Sequence, residues 1–163
     1  MSKIIQKKES YLLFKLSNEL FAVNAHKVLE VLEKHFVTHV PCSAEYVKGV
    51  IHFRGEVLPV IETRLKLNMK ERDENLRSVI IILDLVINDD HVKIGAVADV
   101  VKDVLEISER DIKPVPQIGY NYPTEFLKGI INSENGFVMI LDSDKVFSEE
   151  LEIVEEDAEN QFE

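Results

Sequence analysis

The chain has 163 residues, of which 45% are hydrophobic and 30% charged, and its formal net charge is −11 at pH 7. This composition fits one domain, or one domain of two lobes, and disfavours a nucleic-acid partner, because binding to phosphates needs clustered Lys and Arg. No apolar run reaches the roughly 20 residues of a membrane helix, the N-terminus lacks a signal segment, and Cys42 is the single cysteine. We therefore expect a cytoplasmic protein without direct membrane insertion.

The first strands are predicted from the alternation of apolar side chains. Residues 1–10 are polar and predict a flexible arm. Alternation then predicts a strand over Tyr11–Leu16 and a partner strand over Leu20–Val23. The next segment has two interpretations: either Asn24 caps a helix, or a short turn leads into a strand over Val28–Leu32. The β-branched residues and the strand-rich surroundings favour the turn and strand.

A β-hairpin with a charged tip is predicted for residues 47–62. Two short apolar runs flank the turn at Arg54–Gly55. Pro59 in the return run cannot donate a ladder hydrogen bond, so that strand is expected at a sheet edge or a bulge. Before the hairpin, alternation over Phe36–Val40 predicts another strand. Ser43 as a cap and Gly49 as a stop predict one helical turn over Ala44–Lys48.

The hairpin pattern recurs about eighty positions later, at residues 127–142, with Lys-Gly in register and an apolar run that ends in an acid. The segments upstream of the two hairpins match as well. Two copies are too few for a solenoid, so the sequence predicts a duplication, in which two similar small β units pack on each other. The polar residues 68–77 are the best candidate for the loop between the two units.

The second unit is predicted to contain the same kinds of element. The apolar run Val79–Val86 is typical of a strand buried on both faces, and His91–Ala98 is its return strand. Val100–Ile107 repeats the ambiguity between a helix and a turn with a strand. Three prolines predict a loop over residues 113–123, and Thr124 is expected to cap a short helix over residues 125–128.

The end of the chain is predicted to be helical and then disordered. Asp142–Phe147 has a helical pattern, and Ser148 is a candidate cap for a last helix that carries Leu151 and Val154. Eight acids and no base lie between Glu149 and Glu163, so the acidic end is predicted to lack a packed core.

The chain contains no recognisable catalytic constellation. His35 and His39 lie in a predicted strand, where surface histidines are a simpler interpretation than a metal site. Asp99 and Asp103 are explained more simply as a solvated face than as a catalytic acid pair. Cys42 has no cationic neighbour that would lower its pKa. We therefore expect a non-enzyme without a cofactor or a metal.

Arg54 is the residue that a turn alone does not explain. It follows Phe53, a candidate exposed aromatic residue, and a planar, always charged fork beside apolar surface is favoured at protein interfaces. The alternative is a surface charge that pairs with an acid such as Glu30. The residue chemistry alone leaves both open.

Three separated motifs then occur in order along the chain. The first is the hairpin core from Lys48 to Ile61, the second runs from Gly95 to Pro114, and the third from Lys128 to Val146. Together they resemble the CheW family, the coupling proteins of bacterial chemotaxis, from about residue 11 to residue 147. The chain departs from the family pattern at His52-Phe53, where Asn-Leu is usual, and at Glu62-Thr63, where Asp-Leu is usual.

The resemblance implies a mainly β fold of two five-stranded SH3-like β-barrel lobes, with short helices and a C-terminal helix. We expect a CheW-like domain over residues 11–147, with lobe 1 at about 11–68 and lobe 2 at about 77–147, and a C-terminal helix with an acidic tail over 148–163. The resemblance further implies a non-catalytic scaffold. It would couple the cytoplasmic tip of a chemoreceptor, a methyl-accepting chemotaxis protein, to the regulatory domain of the histidine kinase CheA.

Site residues are carried over by position from the same resemblance. The residues associated with kinase contact are Val28, Glu30 and Arg54, and those associated with the receptor-binding groove are Val79, Gly95, Val101 and Val104. Glu30 and Arg54 are expected to form a salt bridge. For each valine, plain core packing is the alternative.

Two other functions stay open at this point. The chain is also compatible with a CheW-like coupling protein of a non-flagellar chemosensory system, such as one for twitching motility. A small-ligand-binding domain that uses the groove between the lobes is the second alternative, and Arg54, Glu30 and His52 are the polar residues it would have.

Overall fold

The computed structural model describes residues 7–33, 35–41, 43–70, 73, 76–116 and 124–148. Within these ranges the chain forms ten strands. They are β1 (Lys8–Leu16), β2 (Glu19–Asn24), β3 (Val28–Leu32), β4 (Val47–Phe53), β5 (Glu56–Glu62), β6 (Val79–Ile87), β7 (Asp90–Ala98), β8 (Val100–Ser108), β9 (Leu127–Ser133) and β10 (Gly136–Leu141). The helices are α1 (Thr63–Lys66) and α2 (residues 143–148), with short 3-10 turns at Ala25–Lys27, Glu109–Asp111 and Thr124–Phe126.

The strands form two five-stranded sheets. Sheet A has the order β8-β1-β2-β10-β9, and sheet B has the order β3-β6-β7-β5-β4. Each sheet contains one parallel pair, β2 with β10 in sheet A and β5 with β7 in sheet B, and its other pairs are antiparallel. The predicted fold class, mainly β with two five-stranded units, is confirmed.

The duplication is present in the topology, but its two copies are interleaved. If β1 to β5 are matched with β6 to β10, the strand order of sheet A becomes the strand order of sheet B. Each copy therefore contributes its first two strands to one sheet and its last three to the other. The sheets do not follow the expected division into lobes at 11–68 and 77–147. The reason is that the short links Ala25–Lys27 and Asp99 lead the chain across to the other sheet.

Three apolar clusters explain why the central strands are apolar on both faces. On β6, Ile80 and Ile82 belong to a cluster whose buried side chains all come from sheet B. Ile81 and Leu83 belong to a core to which both sheets contribute side chains. Tyr11 and Leu13 on β1 likewise face a cluster of sheet A, and their neighbours on the strand face the shared core. The predicted strand buried on both faces is confirmed. Each fully buried Ile or Leu side chain contributes about 1.5–3 kcal/mol, so this shared core holds the two sheets together.

Several local predictions are confirmed. After β2 the chain makes the favoured short turn and then strand β3, and Asn24 Oδ1 accepts a hydrogen bond from the backbone N–H of His26 at 2.9 Å. Both hairpins form. Residues 143–148 are helical, and Asp142 Oδ1 accepts a hydrogen bond from the backbone N–H of Lys145 at 3.3 Å.

The prediction for the segment before β4 is wrong. In place of a strand at Phe36–Val40 there is a single bridge between Thr38 and Val50. In place of a helical turn over Ala44–Lys48, β4 begins at Val47. Gly49 lies inside β4, and a Cβ at this position would overlap the carbonyl oxygen of Thr38. The glycine is therefore needed for the close approach of two backbones and does not end a helix.

Three further expectations differ from the structure. β5 lies between β7 and β4, so Pro59 is not on an edge strand, although the pairing of β5 with β7 begins only at Val60. The predicted helix over 125–128 is a 3-10 turn at Thr124–Phe126 followed by β9. Residues 8–10 of the expected arm already pair with β8. Cys42, residues 117–123 of the predicted loop and the tail beyond residue 148 lie outside the described residues.

Candidate interaction surfaces

The residues expected to contact a kinase lie where the two edges of sheet B meet. Glu30 is on β3 and Arg54 is in the turn between β4 and β5, and β3 and β4 are opposite edges of the sheet. Arg54 Nη2 lies 3.7 Å from Glu30 Oε2, and the two side chains are 66% and 44% exposed. The expected salt bridge is present. An exposed pair of this kind is worth about 0–1 kcal/mol, so it adds little to stability and leaves both charges accessible.

The backbone at Arg54 is unusual for an arginine. Its φ is 48° and that of Gly55 is 81°, as a two-residue hairpin turn of type I′ requires, and Asn or Gly is the common residue at such a position. The left-handed conformation costs a residue with a side chain about 1–2 kcal/mol. The guanidinium carbon lies 4.8 Å from the centre of the Phe53 ring. Phe53 itself is buried, not exposed as expected, so the arginine covers the edge of the sheet B cluster.

Apolar residues lie close in sequence to both members of this ion pair. Val28 is partly buried and packs against the shared core. Leu29 is 37% exposed and Val57 is 57% exposed. Leu29 lies at an irregularity in the pairing of β3 with β6. We name Leu29, Glu30, Arg54 and Val57 the sheet B tip, a surface that combines an exposed charge pair with accessible apolar side chains.

The residues expected at a receptor groove differ in exposure. Val104 on the edge strand β8 is 52% exposed. Val79 and Val101 are partly buried and pack against the shared core. Gly95 is buried on β7, and a Cβ there would lie 2.7 Å from Ile80 Cγ2. Val104 is therefore accessible, whereas Gly95 is enclosed in the packing of sheet B. We name Val101 and Val104 on β8 the valine rim.

One residue of each set, Val28 and Val101, occupies an equivalent place in the duplication. In sheet B, β3 pairs Val28 with Leu83 and Glu30 with Ile82, and skips Leu29. In sheet A, β8 pairs Val101 with Phe14 and Asp103 with Leu13, and skips Lys102. The same bulge thus occurs on both edge strands. The expected groove contacts Val101 and Val104 therefore lie on the edge equivalent to β3, whereas Val79 and Gly95 lie on β6 and β7 of sheet B.

A buried ion pair joins the two sheets on one side of the shared core. Arg64 on α1 forms a salt bridge with Asp99: Nη2 pairs with Oδ2, and Nε donates to Oδ1 at 3.2 Å. Asp99 Oδ2 also accepts a hydrogen bond from the backbone N–H of Ser17 at 2.7 Å. The Arg64 side chain is only 9% exposed. We name these three residues the Asp99 clamp. It ties α1, which follows strand β5 of sheet B, to the turn between β1 and β2 of sheet A.

A second ion pair lies at the equivalent position of the other copy. Lys27 Nζ and Asp144 Oδ2 are 3.1 Å apart, and Asp144 Oδ1 accepts a hydrogen bond from the backbone N–H of Val86 at 3.1 Å. α1 and α2 correspond, because the hydrogen bond from Glu62 N to Tyr46 O before α1 recurs from Asp142 N to Phe126 O before α2. We name Lys27, Asp144 and Val86 the Asp144 clamp. The helix carries the cation in the first clamp and the carboxylate in the second.

Sequence reasoning did not find these clamps. Asp99 was interpreted with Asp103 as a solvated face, but it forms the link between β7 and β8. The available signal was a charged residue just after each hairpin, Arg64 and Asp144, at matching positions of the repeat. These charges identify their ion-pair partners only once it is known where the chain passes from one sheet to the other.

The described residues also contain features that bear on metal, membrane and ligand binding. In these ranges no group of three or more His, Cys, Asp or Glu side chains is arranged to hold a metal ion. No helix among them is long and apolar enough to cross a membrane. His35 Nε2 lies 3.3 Å from Ser78 Oγ. Arg54, Glu30 and His52 are all exposed. None of them lines the cavity of about 590 Å³ that is bounded by residues such as Tyr11 and Asn24.

Comparison with known proteins gives a consistent result. A family model described as the CheW-like domain matches residues 10–151. The chemotaxis protein CheW of Rhizobium meliloti is 33% identical over 137 residues, which cover 84% of this chain and 86% of that protein. Protein FrzA of Myxococcus xanthus is 29% identical over 125 residues, 77% of this chain and 75% of that protein. The crystal structure of the scaffolding protein TtCheW from Thermoanaerobacter tengcongensis superposes with a TM-score of 0.75 at 26% identity, covering 90% of this chain and 92% of that one.

Proposed function

Because the chain belongs to the family of CheW-like proteins, we propose that it is a non-catalytic scaffold that couples chemoreceptor cytoplasmic tips to the regulatory domain of the histidine kinase CheA. A relative of similar length is named a chemotaxis protein CheW, and the similar solved structure is described as a scaffolding protein. The observation that carries the proposal is the presence of two equivalent edge strands, β3 and β8, whose surroundings differ in charge. The skipped residue is Leu29 on β3 and Lys102 on β8, and the matching hairpin turns carry Arg54 and Glu134. A coupling protein needs two such separate surfaces.

The sheet B tip is the proposed kinase surface. Its guanidinium is held by Glu30 and by the Phe53 ring, so less side-chain entropy is lost when a partner binds. Leu29 and Val57 next to it are accessible, and apolar area beside an arginine is typical of interface hot spots. The strained backbone of Arg54 supports the proposal, because a common turn residue would fold more easily there.

The rim of the shared core at β8 is the proposed receptor surface. Val104 is exposed there, and Val101 packs on the core beside it. An amphipathic helix of a receptor tip can place its apolar face on such a row of valines. Contacts of this size are modest, which suits an assembly held by many weak bonds.

The kinase surface is tested by titrating the chain with the regulatory domain of a CheA kinase from the same genome. Arg54→Glu places a second carboxylate beside Glu30, so we expect affinity to fall at least about tenfold. The turn is exposed, so we expect the circular dichroism spectrum and the melting curve to stay unchanged.

The matched control is Glu134→Arg, the opposite charge change in the equivalent turn between β9 and β10. We expect this variant to bind the kinase domain as the unmodified chain does. Binding that survives Arg54→Glu, or that is lost equally in Glu134→Arg, would contradict a kinase surface at the sheet B tip.

A second candidate function is coupling in a chemosensory system other than the one that controls flagella. The similarity to a relative with a different name, protein FrzA, supports it, as do the residues His52-Phe53 next to the proposed kinase surface. Titration against the regulatory domains of each CheA-type kinase in the genome separates the candidates. The cognate system is the one whose kinase binds most tightly.

A further inference from the structure

A cavity of about 590 Å³ opens at one end of sheet A, and no residue of the sheet B tip or of the valine rim lines it. Its volume is in the range of small-molecule sites, about 300–1,000 Å³. Ile107 and Ile112 supply apolar lining, and Ile107 is buried. The coupling function proposed above makes no use of this cavity.

The polar part of the lining forms a connected network. Asn24 Nδ2 donates a hydrogen bond to Glu9 Oε2 at 2.9 Å. Tyr11 is only 4% exposed. Burial raises the pKa of the Tyr11 hydroxyl, and the charges of Glu9 and Glu109 and a hydrogen bond to Glu9 raise it further. Two carboxylates, an amide and a phenol therefore converge on one cavity.

The equivalent positions of sheet B show that the strand pairing requires neither the phenol of Tyr11 nor the amide of Asn24. Tyr11 pairs with Leu105 on β8 and with Asn24 on β2. Its counterpart Ile80 pairs with Leu32 on β3 and with Val97 on β7. Ile80 and Val97 are both fully buried and apolar. Burying polar groups costs stability, and a polar constellation in a cleft, where the fold accepts apolar residues, is characteristic of a functional site.

The charges of the lining select the class of ligand. Lys7 and Lys128 are exposed, and they line the cavity together with the carboxylates of Glu9 and Glu109. An anion alone is repelled by the carboxylates and a cation alone by the lysines, whereas a zwitterion pairs with both. We propose that this cavity binds a free α-amino acid with an aliphatic side chain. Its ammonium group lies at the two carboxylates, its carboxylate at the two lysines, and its side chain on the isoleucines.

The test is a titration of the full chain, labelled with ¹⁵N, with L-leucine, followed by NMR. We expect saturable shifts confined to the amides around residues 7–11, 24, 107–112 and 128. Two probes that each lack one charge, 3-methylbutylamine and 4-methylpentanoate, are expected to bind at least about tenfold more weakly than leucine.

The variants are chosen from exposed side chains, so that the fold is kept. Lys128→Met and Glu109→Gln are each expected to weaken leucine binding at least about tenfold. The control is Lys48→Met, because Lys48 precedes Gly49 in the first hairpin as Lys128 precedes Gly129 in the second, and it is expected to leave binding unchanged. The proposal is overturned by an absence of saturable shifts, by equal binding of a singly charged probe, or by an equal loss in Lys48→Met. Kinase binding is measured separately, so its failure has no bearing on this result.

Discussion

Sheet A and sheet B share one strand order but present different chemistry at matching edges. On β3 of sheet B, Glu30 pairs with an arginine in the neighbouring hairpin turn. On β8 of sheet A, the matching residue is Asp103, and the matching turn carries Glu134. Each sheet also encloses an apolar cluster of its own. The two copies therefore share their packing and differ in the charges at their edges.

The two clamps support the same conclusion about the interior. Each joins a helix after one sheet to the other sheet through a carboxylate that accepts a backbone hydrogen bond, from the β1–β2 turn in one clamp and from the end of β6 in the other. In the Asp99 clamp the helix supplies the cation, and in the Asp144 clamp it supplies the anion. Both copies share the geometry of the contact, but the charge that the helix carries is positive in one copy and negative in the other.

The largest effect on stability is expected at the Asp99 clamp. Asp99→Ala leaves the buried Arg64 guanidinium unpaired, and breaking a buried pair in this way costs about 3–5 kcal/mol. Asp144→Ala breaks a pair whose side chains are 29% and 33% exposed, and we expect about 1 kcal/mol or less. Free energies of unfolding from urea titration provide the measurement. Equal losses in the two variants would show that burial does not distinguish the clamps.

The next largest effect on stability is expected at Gly95. Gly95→Ala places a methyl group 2.7 Å from Ile80 Cγ2, and overpacking of this kind costs about 1–3 kcal/mol. Ala22, which takes the matching place in sheet A beside β10, already holds a methyl group in a fully buried site. Thermal unfolding checks the prediction. A stability equal to that of the unmodified chain would show that sheet B has room for the methyl group.

The smallest effect on stability is expected at Glu19. Its counterpart in sheet B is the apolar residue Val92. Burial raises the pKa of Glu19 above its ordinary value of 4.5. The folded state therefore holds the proton more tightly than the unfolded state, and stability falls as the pH rises from the ordinary pKa through the raised one. Glu19→Gln removes this loss. We expect the variant to match the unmodified chain at low pH and to be slightly more stable at pH 7, as urea titration at both pH values would show. An equal difference at both pH values would point to a cause other than ionisation.

The sequence was sufficient for the elements that depend on local pattern. Alternation located β1, β2 and β6, and the repeated Lys-Gly hairpin located β4–β5 and β9–β10. The exchange of strands between copies was not predictable, because periodicity indicates that a strand is buried and does not name its neighbour. Gly49 was misread as a helix stop because its cause, the carbonyl of Thr38, is brought close only by the tertiary fold. The Arg64–Asp99 pair was missed for the same reason.

The central claim is that β3 and β8 bind different partners, and it is tested most directly by measuring both partners on one molecule. The CheA regulatory domain and a receptor-tip peptide are added to the chain, and complexes are sized by analytical ultracentrifugation. We predict a ternary complex with the unmodified chain. Arg54→Glu is expected to lose only the kinase domain, and Val104→Glu only the peptide, because a charge on the valine rim opposes an apolar helix face. Competition between the two partners, or loss of both in either variant, would contradict the claim.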